Sequence, residues 1–164
     1  ISPLFFEGVT VGSFVVREDD LTNLQTQALI EFHQSGMHAL TPPEHSFSLD
    51  LSKLKDPSIT FFSAWGGEKI AGIGALKKYS SELGEVKTMR THPDFLRQGV
   101  SQLILDAIIN KARTLGIATL ALETGPVHNF EAAVALYLKN GFVQSGPFAD
   151  YKESPYNFFY QRSI

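Results

Sequence analysis

A loop followed by a helix carries the clearest chemistry in this sequence. Arg97, Gln98 and Gly99 stand directly before Val100, from which apolar residues recur every three or four positions, the spacing of one helix face. Glycine lets the backbone approach a ligand closely, and the first amides of a helix have no partner within it. Such a helix start binds anions, commonly phosphate, and Arg97 would add a positive charge. The alternative is a plain glycine-capped turn with Arg97 in solvent, since short glycine motifs are common.

This loop lies inside a predicted strand–helix–strand unit. Residues 85–91 and 118–123 have the pattern of strands, and Gly116 ends the helix between them because glycine readily takes a positive φ angle. A unit of this length favours parallel strands joined by a right-handed crossover. The loop should therefore lie at the edge of a sheet, at the start of the crossover helix.

Antiparallel strands precede this unit. Residues 59–65 and 70–76 are apolar runs around a Gly-Gly turn, which predicts a β-hairpin, and a second hairpin adds the strand at 85–91. The other predicted elements are helices at 21–35 (ended by Gly36), 41–54 and 129–139, and strands at 14–17 and 157–161. Together they predict an α+β fold, with helices flanking a mixed, mostly antiparallel sheet that contains one parallel strand–helix–strand unit. A single domain spanning residues 1–164 is expected.

Composition limits the classes of function. The chain is 43% hydrophobic and 19% charged, as in ordinary globular domains, and its net charge of -3 argues against nucleic acid as the main partner. It has no cysteine, which excludes disulfides and thiolate chemistry, and a cytoplasmic location is compatible with that. No apolar run approaches the roughly 20 residues that span a bilayer. No metal site is expected, because His33, His38 and His45 lack the spacing of ligands on one helix face.

Two motifs resemble the GNAT family of N-acetyltransferases. The run RQGVS at residues 97–101 is similar to the family's acyl-CoA loop, Gln/Arg-x-x-Gly-x-Gly/Ala, with Gly99 in register, Leu96 at the leading position and Ser101 at the closing one. The run AVALYLKNGF at residues 133–142 is similar to the second signature, Asn-x-x-Ala-x-x-Leu-Tyr-x-x-x-Gly-Phe. The motifs follow the family's order of elements, and the tail is similar to that of a bacterial PaiA/YsnE-like subgroup.

The resemblance implies transfer of an acetyl group from acetyl-CoA to a primary amine of a small molecule or protein, by direct attack in a ternary complex. Backbone amides of residues 98–101 would bind the pyrophosphate, pantetheine would pair with the strand at 89–91, and the Met89 amide would polarise the carbonyl. The implied cofactor contacts are Met89, Arg90, Thr91, Leu96, Arg97, Gln98, Gly99, Val100, Ser101, Asn129, Ala133 and Tyr137.

The resemblance also implies an acid and a base. Tyr137 matches the position whose hydroxyl protonates the leaving thiolate, although a tyrosine on an apolar helix face commonly fills the core. Glu85, early on the central strand, is the first candidate for the base, and a salt bridge to Lys87 or Arg90 is its alternative. Glu123 is the second, because ligands gather outside the carboxyl ends of parallel strands. Two histidines that could titrate near neutrality flank the same region, His92 and His128.

The acceptor and the competing functions are less constrained. The amine would enter opposite the cofactor, and the candidate wall residues are Phe47, Trp65, Asp150 and Tyr151. A homodimer is reasonable from the family resemblance. The main alternative function is a non-catalytic acyl-CoA-binding sensor. A different nucleotide binder is disfavoured, because the sequence lacks both Gly-Lys-Ser/Thr after the loop and a Gly-x-Gly-x-x-Gly fingerprint.

Overall fold

The computed structural model describes residues 8–11, 13–40, 51–126 and 130–164. The strands in these ranges are β1 (Gly8–Val11), β2 (Phe14–Glu18), β3 (Ile59–Gly66), β4 (Lys69–Lys78), β5 (Leu83–Thr91), β6 (Thr119–Thr124), β7 (Val143–Ser145) and β8 (Phe158–Ser163). The helices are α1 (Leu24–Leu40), α2 (Val100–Thr114) and α3 (Glu131–Lys139), with short 3₁₀ turns at Lys53–Lys55 and Pro93–Phe95.

The described strands form one mixed sheet in the order β1-β2-β3-β4-β5-β6-β8-β7. Only the pair β5–β6, which α2 connects, is parallel among them. The predicted α+β fold, with its hairpins and one parallel unit, is therefore confirmed. Strands β1 and β7 were not predicted, and both are short segments at the two edges of the sheet.

Helix α1 differs most from the prediction. It begins at Leu24 because the Asn23 side chain accepts a hydrogen bond from the Gln25 amide at 2.8 Å, a capping signal that the sequence analysis overlooked. Leu21 takes a φ of 69° before it, so it cannot be helical. The helix also continues past Gly36 to Leu40, so the predicted stop at this glycine is wrong. The predicted helix at 41–54 lies mostly outside the described residues.

Helices cover both faces of the sheet. Helix α2 buries Val100, Ile104 and Ile108 against one face, and α1 buries Leu29 and Ile30 against the other. Glycines let α2 approach β4 closely, since a Cβ atom added to Gly74 would lie 2.5 Å from the Ile104 side chain. Helix α2 therefore packs closely against β4, which positions its start next to the end of β5.

A β-bulge bends β5 in its middle. Ile73 pairs with Arg90 and Ala75 pairs with Lys87, so two steps along β4 correspond to three along β5. Thr88 lies in the bulge with a φ of 56°, which is strained for a β-branched residue. Backbone strain of this kind is concentrated at functional sites.

Strand β5 separates from β6 shortly before the bulge. The parallel pairing ends at Glu85 and Ala121, whereas the two strands continue to Thr91 and Thr124. The β6-facing edge of β5 is therefore unpaired with β6 over its last six residues. An extended ligand could pair with the backbone groups along this edge.

Candidate active site

Helix α2 begins without a side-chain cap. Gly99 occupies its N-cap position with φ 83° and ψ 11°, in the left-handed region. The first hydrogen bond at this end runs from the Leu103 amide to the Gly99 carbonyl, at 3.2 Å. The amides of Val100, Ser101 and Gln102 therefore precede the helical ladder at the positive end of the helix dipole. This arrangement suits an anion, as the sequence analysis expects.

Arg97 has a strained backbone next to this helix start. Its φ is 62°, a conformation that costs a non-glycine residue about 1–3 kcal/mol. Its side chain is exposed, and Leu96 beside it is 57% exposed. The loop thus holds a positive charge and two left-handed residues within three positions, directly before the amides at the start of α2.

A cavity of about 640 Å³ opens at the start of α2. It is lined by residues of α1, β5, the loop, α2 and α3: His33, Met89, Arg90, Thr91, Leu96, Arg97, Gly99, Val100, Ser101, Gln102, Phe130, Glu131, Ala132, Ala133, Leu136, Tyr137 and Lys139. The structure therefore brings together most of the residues predicted to contact the cofactor. There are two exceptions. Gln98 is exposed and does not line the cavity, and Asn129 lies outside the described residues.

Polar contacts between the two motifs fix the shape of the cavity. The hydroxyls of Thr91 and Ser101 lie 2.6 Å apart and connect the end of β5 to the start of α2. Gln102 and Asn140 exchange two side-chain hydrogen bonds of 2.9 Å each, which connect α2 to the end of α3. Helix α3 is thereby held across the cavity from the loop.

Tyr137 lies on the cavity wall. It is 6% exposed, its ring meets Phe142 edge-on at 5.7 Å between centroids, and its hydroxyl bonds to no described residue. Burial raises the pKa of this hydroxyl above its usual range, so the group keeps its proton at neutral pH. A protonated hydroxyl at the cavity wall is able to donate a hydrogen bond or a proton.

Glu85 lies on the face of the sheet opposite α2 and is only 2% exposed. One of its oxygens accepts a hydrogen bond from the Tyr79 hydroxyl at 2.7 Å. The other accepts bonds from the Tyr151 hydroxyl at 2.7 Å and from Lys87 Nζ at 3.0 Å. The salt bridge to Lys87, predicted as the alternative to a catalytic role, is present. We call Tyr79, Glu85, Lys87 and Tyr151 the Glu85 cluster.

Glu123 shares this face of the sheet. Glu85 is in register with Ala121 on β6, and Glu123 follows two residues later, where side chains return to the same face. Burial and, to a smaller extent, the charge of Glu85 raise the pKa of Glu123, and the charge of Lys87 opposes the shift; together they move the pKa from its usual 4.5 to about 7. A carboxyl group that is about half ionised near neutrality suits acid–base chemistry.

This raised pKa predicts a pH-dependent stability effect. The folded state holds the Glu123 proton more tightly than the unfolded state, so the associated stability is lost as pH rises from about 4.5 to about 7. We expect the Glu123→Gln variant to gain stability relative to the parent chain across this window, by about 3 kcal/mol in total, since one pKa unit corresponds to about 1.4 kcal/mol. Urea unfolding at pH 4.5, 5.5, 6.5 and 7.5 measures the difference. A difference that is independent of pH would contradict the assignment, and the exposed Glu82→Gln change is the control.

The remaining candidates have different roles. His92 Nδ1 accepts the Asp94 amide at 3.0 Å and caps a 3₁₀ turn, so its contact here is structural. Trp65 was predicted to line the binding site of the acceptor amine. It is instead a core residue, 5% exposed, whose indole Nε1 donates a hydrogen bond to the Ser63 hydroxyl at 2.8 Å. Asp150 is exposed. Phe47 and His128 lie outside the described residues. Within the described ranges, no cluster of three potential metal ligands occurs.

Sequence reasoning missed His33 as a cavity residue. It was considered only as a metal ligand, yet it lines the cavity from α1 and is 8% exposed. Phe130, at the N-cap of α3, and Leu136 within α3 were also missed. Both lie three residues from Ala133, and this helical spacing places them near Ala133 and Tyr137. No sequence pattern indicates that His33 contacts the cavity, because this contact depends on how α1 packs on the sheet.

Comparisons with known proteins agree with this geometry. The model of the acetyltransferase (GNAT) family matches residues 19–142. The chain is 48% identical to the uncharacterized N-acetyltransferase YedL of Escherichia coli over 89% of the chain and 92% of that protein. It is 43% identical to the uncharacterized N-acetyltransferase YsnE of Bacillus subtilis over 91% of the chain and 99% of that protein, which confirms the YsnE-like resemblance.

Solved structures share the fold. A Klebsiella pneumoniae crystal structure, assigned provisionally to the acyl-CoA N-acyltransferases, has a TM-score of 0.77 and 27% identity over 92% of this chain and 97% of that one. A GNAT acetyltransferase from Elizabethkingia anophelis with acetyl-CoA bound has a TM-score of 0.66 and 16% identity over 94% of this chain and 100% of that one.

These relationships define the protein as an acyltransferase of the GNAT fold. The chain belongs to the GNAT family of N-acetyltransferases. No helix in the described part of the chain is long and apolar enough to cross a membrane.

Proposed function

We propose that this enzyme transfers an acetyl group from acetyl-CoA to a primary amine by direct attack within a ternary complex. The uncapped start of α2, beside the separated strands β5 and β6, is the observation that carries this proposal. It combines an anion site with an unpaired strand edge, the two features that a diphosphate joined to an amide-containing arm requires. The oligomeric state stays a prediction, with a homodimer expected.

The donor would be held largely by backbone groups. The amides of Val100 and Ser101 would bind the pyrophosphate, with Arg97 adding a full positive charge. The edge of β5 at Met89–Thr91 would pair with the pantetheine arm. Acetyl-CoA supplies an activated acyl carbonyl and a thiolate leaving group. Because backbone amides carry most of the binding, Leu96 at the motif's leading position is compatible with it.

Three groups would handle charge and protons. The Met89 amide would donate to the carbonyl oxygen as that oxygen gains negative charge. Glu123 would accept the proton that the attacking amine loses as its nitrogen bonds to the acyl carbon, and Tyr137 would give its proton to the sulfur as the carbon–sulfur bond breaks. The step balances, because Glu123 gains the proton that the amine loses and the sulfur gains the proton that Tyr137 loses; exchange with solvent would then return both side chains to their starting states.

Glu85 would act through Glu123 instead of contacting the substrate. Its oxygens already accept three hydrogen bonds in the Glu85 cluster, and its charge raises the pKa of Glu123 toward neutrality. The first candidate for the base thus becomes a positioning residue, and the second candidate becomes the base. Mutants at both positions separate the two assignments.

Substitution of Gly99 tests the donor site. Gly99→Ala places a Cβ atom on a residue with φ 83°, which costs about 1–2 kcal/mol, and a shift of the backbone would misalign the amides of Val100 and Ser101. We expect the affinity for acetyl-CoA to fall about 10-fold, measured by calorimetry. Gly116→Ala is the matched control, because Gly116 has φ 74° and open space around its Cβ position at the other end of α2. Equal losses of acetyl-CoA affinity in both variants would count against a diphosphate at Gly99.

A further inference from the structure

Arg90 lies on the face of the sheet that α1 covers. Its neighbour Thr91 contacts Ser101 on the α2 face, and Arg90 itself pairs with Ile73, which packs in the α1 core. Arg90 Nε donates a hydrogen bond to Nδ1 of His33 at 3.1 Å. Burial, followed by the charge of Arg90, lowers the pKa of His33 to about 3, so the imidazole is neutral and its Nδ1 is an acceptor. This contact orients the guanidinium at the cavity wall.

The guanidinium of Arg90 has no carboxylate partner among the described residues. The ion pairs in the described ranges are Lys87–Glu85, His92–Asp94 and Lys111–Glu18. Among the described residues, Arg90 also contacts Phe32, whose ring centroid lies 5.5 Å from the guanidinium carbon. Burial lowers the pKa of Arg90. Since a half-buried cation whose neighbours among the described residues are neutral is unfavourable, an anionic ligand would stabilise it.

The position of Arg90 distinguishes between the two substrates. The diphosphate of the donor is assigned to the start of α2, on the face that Thr91 and Ser101 share. Arg90 points to the opposite face, together with Glu85 and Glu123, where the amine would be deprotonated. One guanidinium donor is used by His33, and the remaining Nη groups form the planar fork that binds a carboxylate through two hydrogen bonds.

We propose that Arg90 binds a carboxylate of the acceptor, so the acceptor is an amine that also carries a carboxylate group, as amino acids do. This inference rests on the proposed function, because it assumes that an acceptor amine occupies the cavity. His33 fixes the guanidinium in place, and Phe32, which is 47% exposed, offers an apolar surface beside it. Arg90 is thereby a specificity-determining residue on the acceptor side.

Matched acceptor pairs test this inference. Thiol release from acetyl-CoA is measured with the common amino acids and with their carboxamides. The carboxamides keep the amine and side chain but lack the carboxylate. We expect the parent enzyme to favour the carboxylate member of the best pair by about 10²-fold in kcat/KM, since a charge-assisted bidentate contact contributes a few kcal/mol. Arg90→Gln should lose this preference mainly through KM for the acceptor, while KM for acetyl-CoA is unchanged.

Two further variants keep the test interpretable. Arg90→Lys preserves the charge without the planar fork and should retain part of the preference. Arg113→Gln removes an exposed cation near the end of α2 and should leave both KM values unchanged. Circular dichroism establishes that each variant folds, and the comparison of acceptor pairs in the parent enzyme needs no variant at all.

The outcomes separate this inference from the proposed function. Equal turnover of carboxylate and carboxamide by the parent enzyme would overturn the inference and leave the function standing. Arg90-dependent calorimetric binding of amino acids in the presence of coenzyme A, without turnover, would support the inference and contradict the function. A loss of acetyl-CoA affinity in Arg90→Gln would assign the arginine to the donor and overturn the inference. If no acceptor were bound or turned over, both the inference and the proposed function would be overturned.

Discussion

Replacing Tyr137 with phenylalanine should lower kcat for acetyl transfer by about 10²–10³-fold and leave the affinity for acetyl-CoA nearly unchanged. The hydroxyl is protonated at the cavity wall, and its removal takes away the proposed proton donor to the thiolate. The ring and its contact with Phe142 remain, so packing is preserved. Thiol release measures kcat, and calorimetry measures the affinity for acetyl-CoA.

A second buried tyrosine provides the control for this prediction. Tyr160 is 4% exposed on β8, in the same hydrophobic core, and does not line the cavity. Tyr160→Phe should therefore retain the parent rate. Full activity in Tyr137→Phe would show that this tyrosine only fills the core.

If the parent chain bound acetyl-CoA but acetylated no amine, the non-catalytic sensor would be the better account.

Replacing Glu123 with glutamine should lower kcat/KM by about 10²–10⁴-fold, because glutamine cannot accept a proton. In the parent enzyme the rate should rise with pH through an apparent pKa near 7, as Glu123 becomes ionised. That ascending limb should disappear in the variant. Initial rates between pH 5.5 and 9 measure it, and Glu82→Gln, in the exposed turn before β5, is the control.

A parallel Glu85→Gln variant decides between the two carboxylates. Loss of the Glu85 charge removes a cause of the raised Glu123 pKa, so the apparent pKa of the pH–rate profile should fall. If Glu85→Gln instead abolished activity while Glu123→Gln kept the parent profile, Glu85 would be the base, in the order that the sequence analysis favoured. An unchanged profile in both variants would exclude both carboxylates.

The parallel unit and the hairpins could be predicted because local signals specify them. Gly67 and Gly116 both take positive φ angles at the turn and helix end where the sequence pattern expects them. Glycine alone is an ambiguous signal, however. Gly36 was also expected to end a helix, yet α1 continues to Leu40. A glycine inside a helix costs only roughly 1 kcal/mol relative to alanine, so it weakens a helix without having to end it.

The functional details that the sequence did not reveal depend on distant contacts. Arg90 and His33 are 57 residues apart in the chain and meet only because α1 crosses the end of β5. Tyr151 reaches Glu85 across 66 residues, which buries the carboxylate that was expected to face the substrate. The bulge at Thr88 lies in the part of β5 that is unpaired with β6, at a residue that carries no turn signal.

The central claim is that amides at the start of α2 bind the diphosphate of acetyl-CoA while the edge of β5 aligns its thioester. Backbone ¹H–¹⁵N correlation spectra recorded during an acetyl-CoA titration test this claim most directly. The account predicts the largest shifts at the amides of Gly99, Val100, Ser101 and Met89, with small ones at Gly67 in the distant β3–β4 turn. Shifts confined to other parts of the sheet, with these four amides unmoved at saturation, would contradict it.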